Sequence, residues 1–267
     1  LPKTAAGLQD RIKVLDLLIK KEPDAAFGVL DGLTEPGQQF AFDAARPKWR
    51  EDDAGAGKGV TYAEMNEMHA AAKVRLFQMS AGNPSRIVTL FQNTSKKEPS
   101  DVFPVLSLME PFTTPTANDD DREILRRALR ETIRWHRNYD DAPTHELDAW
   151  LLAVESCYER LAPADIVNRY CWLFNNHWVE LPSRERKDPV ESRRSELTLA
   201  RIAALTEIQN SLGMAGVDTL IAVCNEPSSV GSALAEMNWT EIQWVDWFIA
   251  KGGDFTQGEA MTGCITG

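Results

Sequence analysis

DDDREILRRALRETIRWHRNY, Asp119–Tyr139, carries the clearest helical pattern in the chain. Its three leading aspartates suit the positive end of a helix dipole. At helical pitch, Ile124, Leu125, Ala128, Leu129, Thr132, Trp135 and His136 share an arc about 140° wide, the expected buried face. Arg122, Arg126, Arg130, Arg134 and Arg137 fall on the other side, within about 120° of one another. Glu123 and Glu131 can reach Arg127 there at four-residue spacing. Such a stripe reads first as a solvated face laced with ion pairs. The competing reading is a cationic surface that holds phosphate, an acidic peptide or an RNA backbone through charge-assisted bonds.

Thr144–Leu161 repeats the pattern with Leu147, Trp150, Leu151, Val154, Cys157, Tyr158 and Leu161, and makes a hairpin partner. Pro163 starts another helix, PADIVNRYCWLFNN, with Asp165 in its first turn and Asn175 and Asn176 as its stop. PSRERKDP, 182–189, is a charged linker. Helices are then expected over Val190–Leu212, Ala215–Asn225, Pro227–Met237 and Thr240–Lys251. Upstream, Gly7–Glu22, a short helix opened by Pro23, Thr61–Met79, a helix opened by Asn83-Pro84 and one opened by Pro99 show the same three- and four-residue steps. Residues 34–60 lose periodicity and form the longest expected loop. No segment alternates at the period of a strand. The expected fold is all-α: stacked antiparallel helical hairpins, as an irregular α-solenoid or two helical bundles. The break FTTPTAN, ending at Asn118, places the expected boundary between an N-terminal helical subdomain, 1–115, and a C-terminal hairpin array, 116–267.

Composition narrows the function classes. The 267 residues carry a formal charge of -11 and are 43% hydrophobic, enough apolar content for one large or two ordinary cores. That charge disfavours nucleic acid and anionic lipid as general partners. Cys157, Cys171, Cys224 and Cys264 lack CxxC spacing and read as reduced, mostly buried thiols. With no leader-like N-terminus and no run of about 18 apolar residues, a cytoplasmic location away from membranes is expected. The chain begins at Leu1 and ends in MTGCITG, which is read as a piece of a longer polypeptide.

The densest cluster of aromatic, thiol and imidazole groups is NRYCWLFNNHWVELP, Asn168–Pro182. Tyr170, Trp172, His177 and Trp178 are binding candidates within it, alongside Arg122, Arg126, Arg130 and Arg134 of the arginine stripe. Cys171 and His177 could form a nucleophile–base pair across a helix end, with Asn175, Asn176 or Glu180 to orient the imidazole. The bland alternative is a packed aromatic joint. AGAGKGVT, Ala54–Thr61, is not a phosphate loop: the first glycine of that motif would fall at Asp52 and its Ser/Thr at Gly59. His136 reads as a satisfied core residue, and His69 and His145 have no metal-ligand spacing. No cofactor or metal is expected. Arg201, set among Leu197, Ala204, Leu205 and Ile208, is expected to pair with a buried carboxylate or to snorkel outward. Trp239, Trp244, Trp247 and Phe248 form a second cluster, and Trp244, Trp247 and Phe248 could drive self-association.

LAPADIVNRYCWLFNNHWVELP, Leu161–Pro182, and RPKWR, Arg46–Arg50, resemble the helical-repeat regions of large multidomain bacterial proteins, some of which look like antiphage defence proteins with SIR2-like or STAND-type NTPase modules. The resemblance implies a sensor or scaffold portion of a larger protein; since arrays of helical hairpins create extended grooves, the leading expectation is a region that recognises a protein partner or couples neighbouring modules, without catalysis of its own. The alternatives are a cysteine–histidine hydrolase or transferase centred on Cys171 and His177, and nucleic-acid or phosphate sensing through the Arg122–Arg137 face.

Overall fold

The structure, a computed structural model, describes residues 7–34, 61–97, 101–138, 145–177 and 190–237, together with 179, 181, 245, 247 and 249. The expected loop at 34–60 beyond Thr34, RPKWR, the linker at 182–189, Trp178, Trp239, Trp244 and Phe248 lie outside the described residues. The fold is all-α: eleven α-helices and no strand are present among the described residues. The chain divides into two compact units, Leu1–Thr94 and Ser95–Gly267.

The first unit contains α1 (Leu8–Lys21), α2 (Pro23–Thr34), α3 (Tyr62–Ser80) and most of α4 (Pro84–Lys97). Leu15, Leu30, Met68, Ala72 and Leu76 form its core, where α2 packs on both α1 and α3. Thr61 starts α3 with a reciprocal capping box: its hydroxyl accepts from the Glu64 N–H, and the Glu64 carboxylate accepts from the Thr61 N–H. Polar bridges tie α3 to α1, Arg75 to Asp16 at 2.7 Å, and α4 to α2, Arg86 to Asp24 at 2.6 Å and Asn93 to Asp31 at 2.7 Å. Tyr62 is 83% exposed. It sits in the first turn, ahead of the Met68, Ala72, Leu76 and Ser80 positions that face the core.

The second unit contains α5 (Val102–Ser107), a 3₁₀ turn at Glu110–Thr113, α6 (Asp119–Asn138), α7 (His145–Arg160), α8 (Ile166–Cys171), a second 3₁₀ turn at Trp172–Phe174, α9 (Val190–Leu212), α10 (Met214–Val223) and α11 (Pro227–Ala235). α7 packs between α6 and α5, and α9 carries α8, α10 and α11. Val167, Phe174, Leu205, Ile208, Val217, Leu220, Ile221, Val230 and Leu234 are among the residues that fill the core around α9.

The division into two compact units falls inside α4, and the expected boundary at 115/116 lies within the second unit. FTTPTAN does break the helix, but the Phe112 and Thr114 carbonyls accept from Arg122, which fastens the segment to α6. α8 begins at Ile166 and not at Pro163, because Asp165 is its N-cap: the carboxylate accepts from the Asn168 N–H at 2.8 Å.

Candidate functional site

The arginine stripe of α6 is where structure and sequence expectation part. Arg122, Arg126 and Arg130 are 3%, 6% and 8% exposed, whereas Trp135, assigned to the buried face, is 51% exposed. α6 is therefore covered on more than one side, and the guanidinium groups of Arg122, Arg126 and Arg130 point into the unit. Arg122 donates to the carbonyls of Phe112, Thr114 and Ala162 and to Asp119. Arg126 donates to the Arg169 carbonyl at 3.2 Å and stacks over the Tyr158 ring, 4.3 Å from its centroid. Arg130 bonds Glu123 at 3.0 Å and stacks over Trp172 at 4.0 Å. Arg134 is half-buried, and Arg137 pairs with Glu155 of α7 at 3.0 Å. Arg127, expected to pair with Glu123 and Glu131, is the exposed member of the series.

The physical reason lies in what a guanidinium can satisfy. Helix ends leave carbonyls without intrahelical partners. A planar five-donor fork can serve several of them, and its three-methylene stem packs against apolar neighbours on the way. The expectation of a solvated arginine face is corrected on this point: three of its guanidiniums are spent inside the protein.

Asp119 completes the joint. Its carboxylate accepts from the Ala164 and Asp165 N–H groups, each at 3.0 Å, and from Arg122 at 3.0 Å. Burial works to raise this carboxyl; the two N–H donors and Arg122 outweigh it and hold the group below the usual carboxylate range. The start of α6 thereby holds the connection from α7 to α8. The sequence signal, an acid in a helix's first turn, was visible, but its acceptor role toward a segment 45 residues away was not.

Arg201 of α9 repeats the device. It is 8% exposed and donates to the carbonyls of Leu173 at 3.0 Å, Asn176 at 2.8 Å and His177 at 3.2 Å. It neither meets a buried carboxylate nor snorkels outward, as was expected; it ties down the turn after the second 3₁₀ segment. Asn175 holds that turn from the other side, accepting from the Asn225 N–H at 3.0 Å, while the Phe174 carbonyl accepts from the Glu226 N–H at 3.0 Å.

Within the aromatic stretch, Tyr170 is half-buried and its hydroxyl donates to Glu207 of α9. Burial first, then that bond, raises its pKa. Trp172 lies under Arg130, and Leu173 and Phe174 are buried in the core. Among the described residues, the Cys171 thiol finds Asn175 Oδ1 at 3.5 Å and the Val223 carbonyl at 3.9 Å, and not His177. His177 is exposed, and its part in the joint is its main-chain carbonyl. Burial raises the Cys171 thiol pKa, the reverse of what activates a nucleophile. His136 packs edge-on between Trp135 and Trp150, each ring centroid 4.7 Å away. Trp247, expected at a self-association surface, is 5% exposed and belongs to the core around α9.

Among the described residues, no group of three or more His, Cys, Asp or Glu side chains is arranged to hold a metal ion, and no helix is long and apolar enough to cross a membrane. A shallow cleft between α1 and α3 is lined by Asp16, Ile19, Val74, Arg75, Gln78 and Met79, with Asp16 and Arg75 already bonded to each other. The site the geometry builds is thus a polar–aromatic joint, from Arg122 through Trp172 to Arg201, that fixes helix ends to helix flanks. Compared with known proteins, the chain matches no family model, no curated protein and no solved structure.

Proposed function

We propose that the chain is a helical scaffold or sensor region, built of stacked helical hairpins, that recognises a protein partner or couples neighbouring modules of a larger bacterial polypeptide. One observation supports this reading above the others. In the second unit the arginines with the greatest capacity to bind a ligand, Arg122, Arg126, Arg130 and Arg201, are engaged with main-chain carbonyls, carboxylates and aromatic rings, while large apolar side chains stand in solvent. Trp135 is 51% exposed, Leu152 55% and Leu199 66%. An all-α frame with outward aromatic and aliphatic groups offers the anchors that protein interfaces use. The resemblance of Leu161–Pro182 to helical-repeat regions points the same way, since residues 165–177 of that segment form part of the joint.

Site-specific photocrosslinking from positions 135 and 199 in cells tests the reading. A defined partner whose retention falls at least about tenfold in Trp135→Arg or Leu199→Arg, with unchanged far-UV circular dichroism, supports it. Equal retention by the wild type and both variants would count against it.

A further inference from the structure

Two of the free cysteines converge on one peptide. Cys171 closes α8, and its thiol donates to the carbonyl of Val223 at 3.9 Å, the group that leads directly into Cys224. Cys224 caps α10 and donates its own thiol to the Ile221 carbonyl at 3.8 Å. Both side chains border the same apolar cluster, Cys224 buried and Cys171 partly accessible. The backbone on each side is pinned by the Asn175–Asn225 and Phe174–Glu226 bonds, both 3.0 Å, so Cys171 meets the Val223–Cys224 peptide in a held turn.

We propose that Cys171 and Cys224 are a closable dithiol pair, oxidised by hydrogen peroxide to a disulfide that locks α8 and its 3₁₀ turn onto the α10–α11 connection. The accessible member reacts first. The Cys171 thiolate attacks one peroxide oxygen, the O–O bond breaks, and a sulfenic acid and one water (after proton uptake) result. The Cys224 thiolate then attacks the Cys171 sulfur, forming the S–S bond and releasing the sulfenic oxygen as a second water. The two thiols lose two electrons in all, and the peroxide takes them up. Burial raises both thiols, and the charge of Cys171 contributes to the rise at Cys224, in keeping with their proximity. The pair is accordingly slow to close at neutral pH and faster in alkali, a latch and not a rapid sensor.

Tryptic mapping of the full chain separates every cysteine: cleavage after Arg137, Arg160, Arg169, Arg184, Arg201 and Lys251 puts Cys157, Cys171, Cys224 and Cys264 on four different peptides. After exposure of the reduced protein to hydrogen peroxide, the expected non-reduced product is peptide 170–184 joined to peptide 202–251. Its rate of formation should rise about tenfold from pH 7 to pH 8, following the thiolate fraction. In Cys224→Ser, Cys171 should accumulate as a sulfenic acid trappable by dimedone; in Cys171→Ser, Cys224 should stay reduced. Should the serine variants fold poorly, the wild-type map decides alone. Cys171 joined to Cys157 or Cys264, Cys171 driven to sulfinic acid without a joined peptide, or both thiols still free after exhaustive treatment, each overturns the proposal.

Discussion

The side chain of Arg201 shows how much a single buried guanidinium is asked to do. Three carbonyls, of Leu173, Asn176 and His177, depend on it, and burial lowers its pKa, opposed by the charge of Glu226. Arg201→Met keeps the stem and removes every donor, leaving those acceptors without their partner. The expected cost is about 3 kcal/mol in urea unfolding, against less than about 0.5 kcal/mol for Arg127→Ala on the exposed side of α6. A loss at Arg201 no larger than at Arg127 would mean that the turn is held by Asn175 alone. The buried thiols make a second residue-scale prediction. Burial pushes Cys157 and Cys224 up to about 11. A group whose folded pKa is raised contributes stability that is complete below its unfolded value and is lost as pH rises through the folded one. Under reducing conditions the urea midpoint should therefore fall between about pH 9 and pH 11. Cys157→Ala should flatten that fall while lowering stability at neutral pH through the volume it removes.

At the scale of elements, the joint between α9 and α10 is the most sharply constrained. Gly213 connects the two helices at φ 66° and ψ -159°, a region that residues with a Cβ avoid. Three residues on, a Cβ at Gly216 would stand 2.6 Å from the Leu212 Cβ and 2.9 Å from the Ile208 Cγ2. Gly216→Ala must push apart two side chains at the helix junction, one of them the fully buried Ile208, so a loss of about 1–3 kcal/mol is expected in thermal or urea unfolding. Gly28→Ala is the matched control, since its added Cβ meets nothing within 4 Å and replaces glycine inside α2; it should be neutral or slightly stabilising. The extents of α7 and α9 were legible to within a residue because a helix buried on one side repeats its apolar positions every 3.6 residues, and Leu151, Val154 and Tyr158 state that period openly. The direction of the α6 arginines was not legible. A charged side chain carries no mark of whether water or a carbonyl will receive it, and the acceptors here, Phe112, Ala162 and Arg169, lie 10, 40 and 43 residues away in sequence. Asp119 is a similar case: its place in the first turn of α6 could be read, but not the two N–H groups at Ala164 and Asp165 that it serves.

Over the whole molecule, charge and burial combine into one expectation about partners. The chain carries a formal charge of -11, so an anionic polymer approaches a repulsive surface unless a local cationic patch reverses the field. The α6 stripe was the strongest candidate for such a patch. With Arg122, Arg126 and Arg130 turned inward, its outward charge is reduced to groups such as Arg127, beside the exposed Glu131. Binding to nucleic acid through phosphates releases counterions, and log affinity then falls linearly with log salt in proportion to the phosphates neutralised. For this chain, fluorescence anisotropy with a single-stranded RNA or DNA oligonucleotide at about 50 mM salt should show no saturable rise, and raising salt should change nothing. Arg127→Glu should be equally silent. A saturable signal with a steep salt slope that Arg127→Glu diminishes would show a cationic surface on α6 despite the burial of its neighbours, and would move the functional reading from protein contact to phosphate recognition.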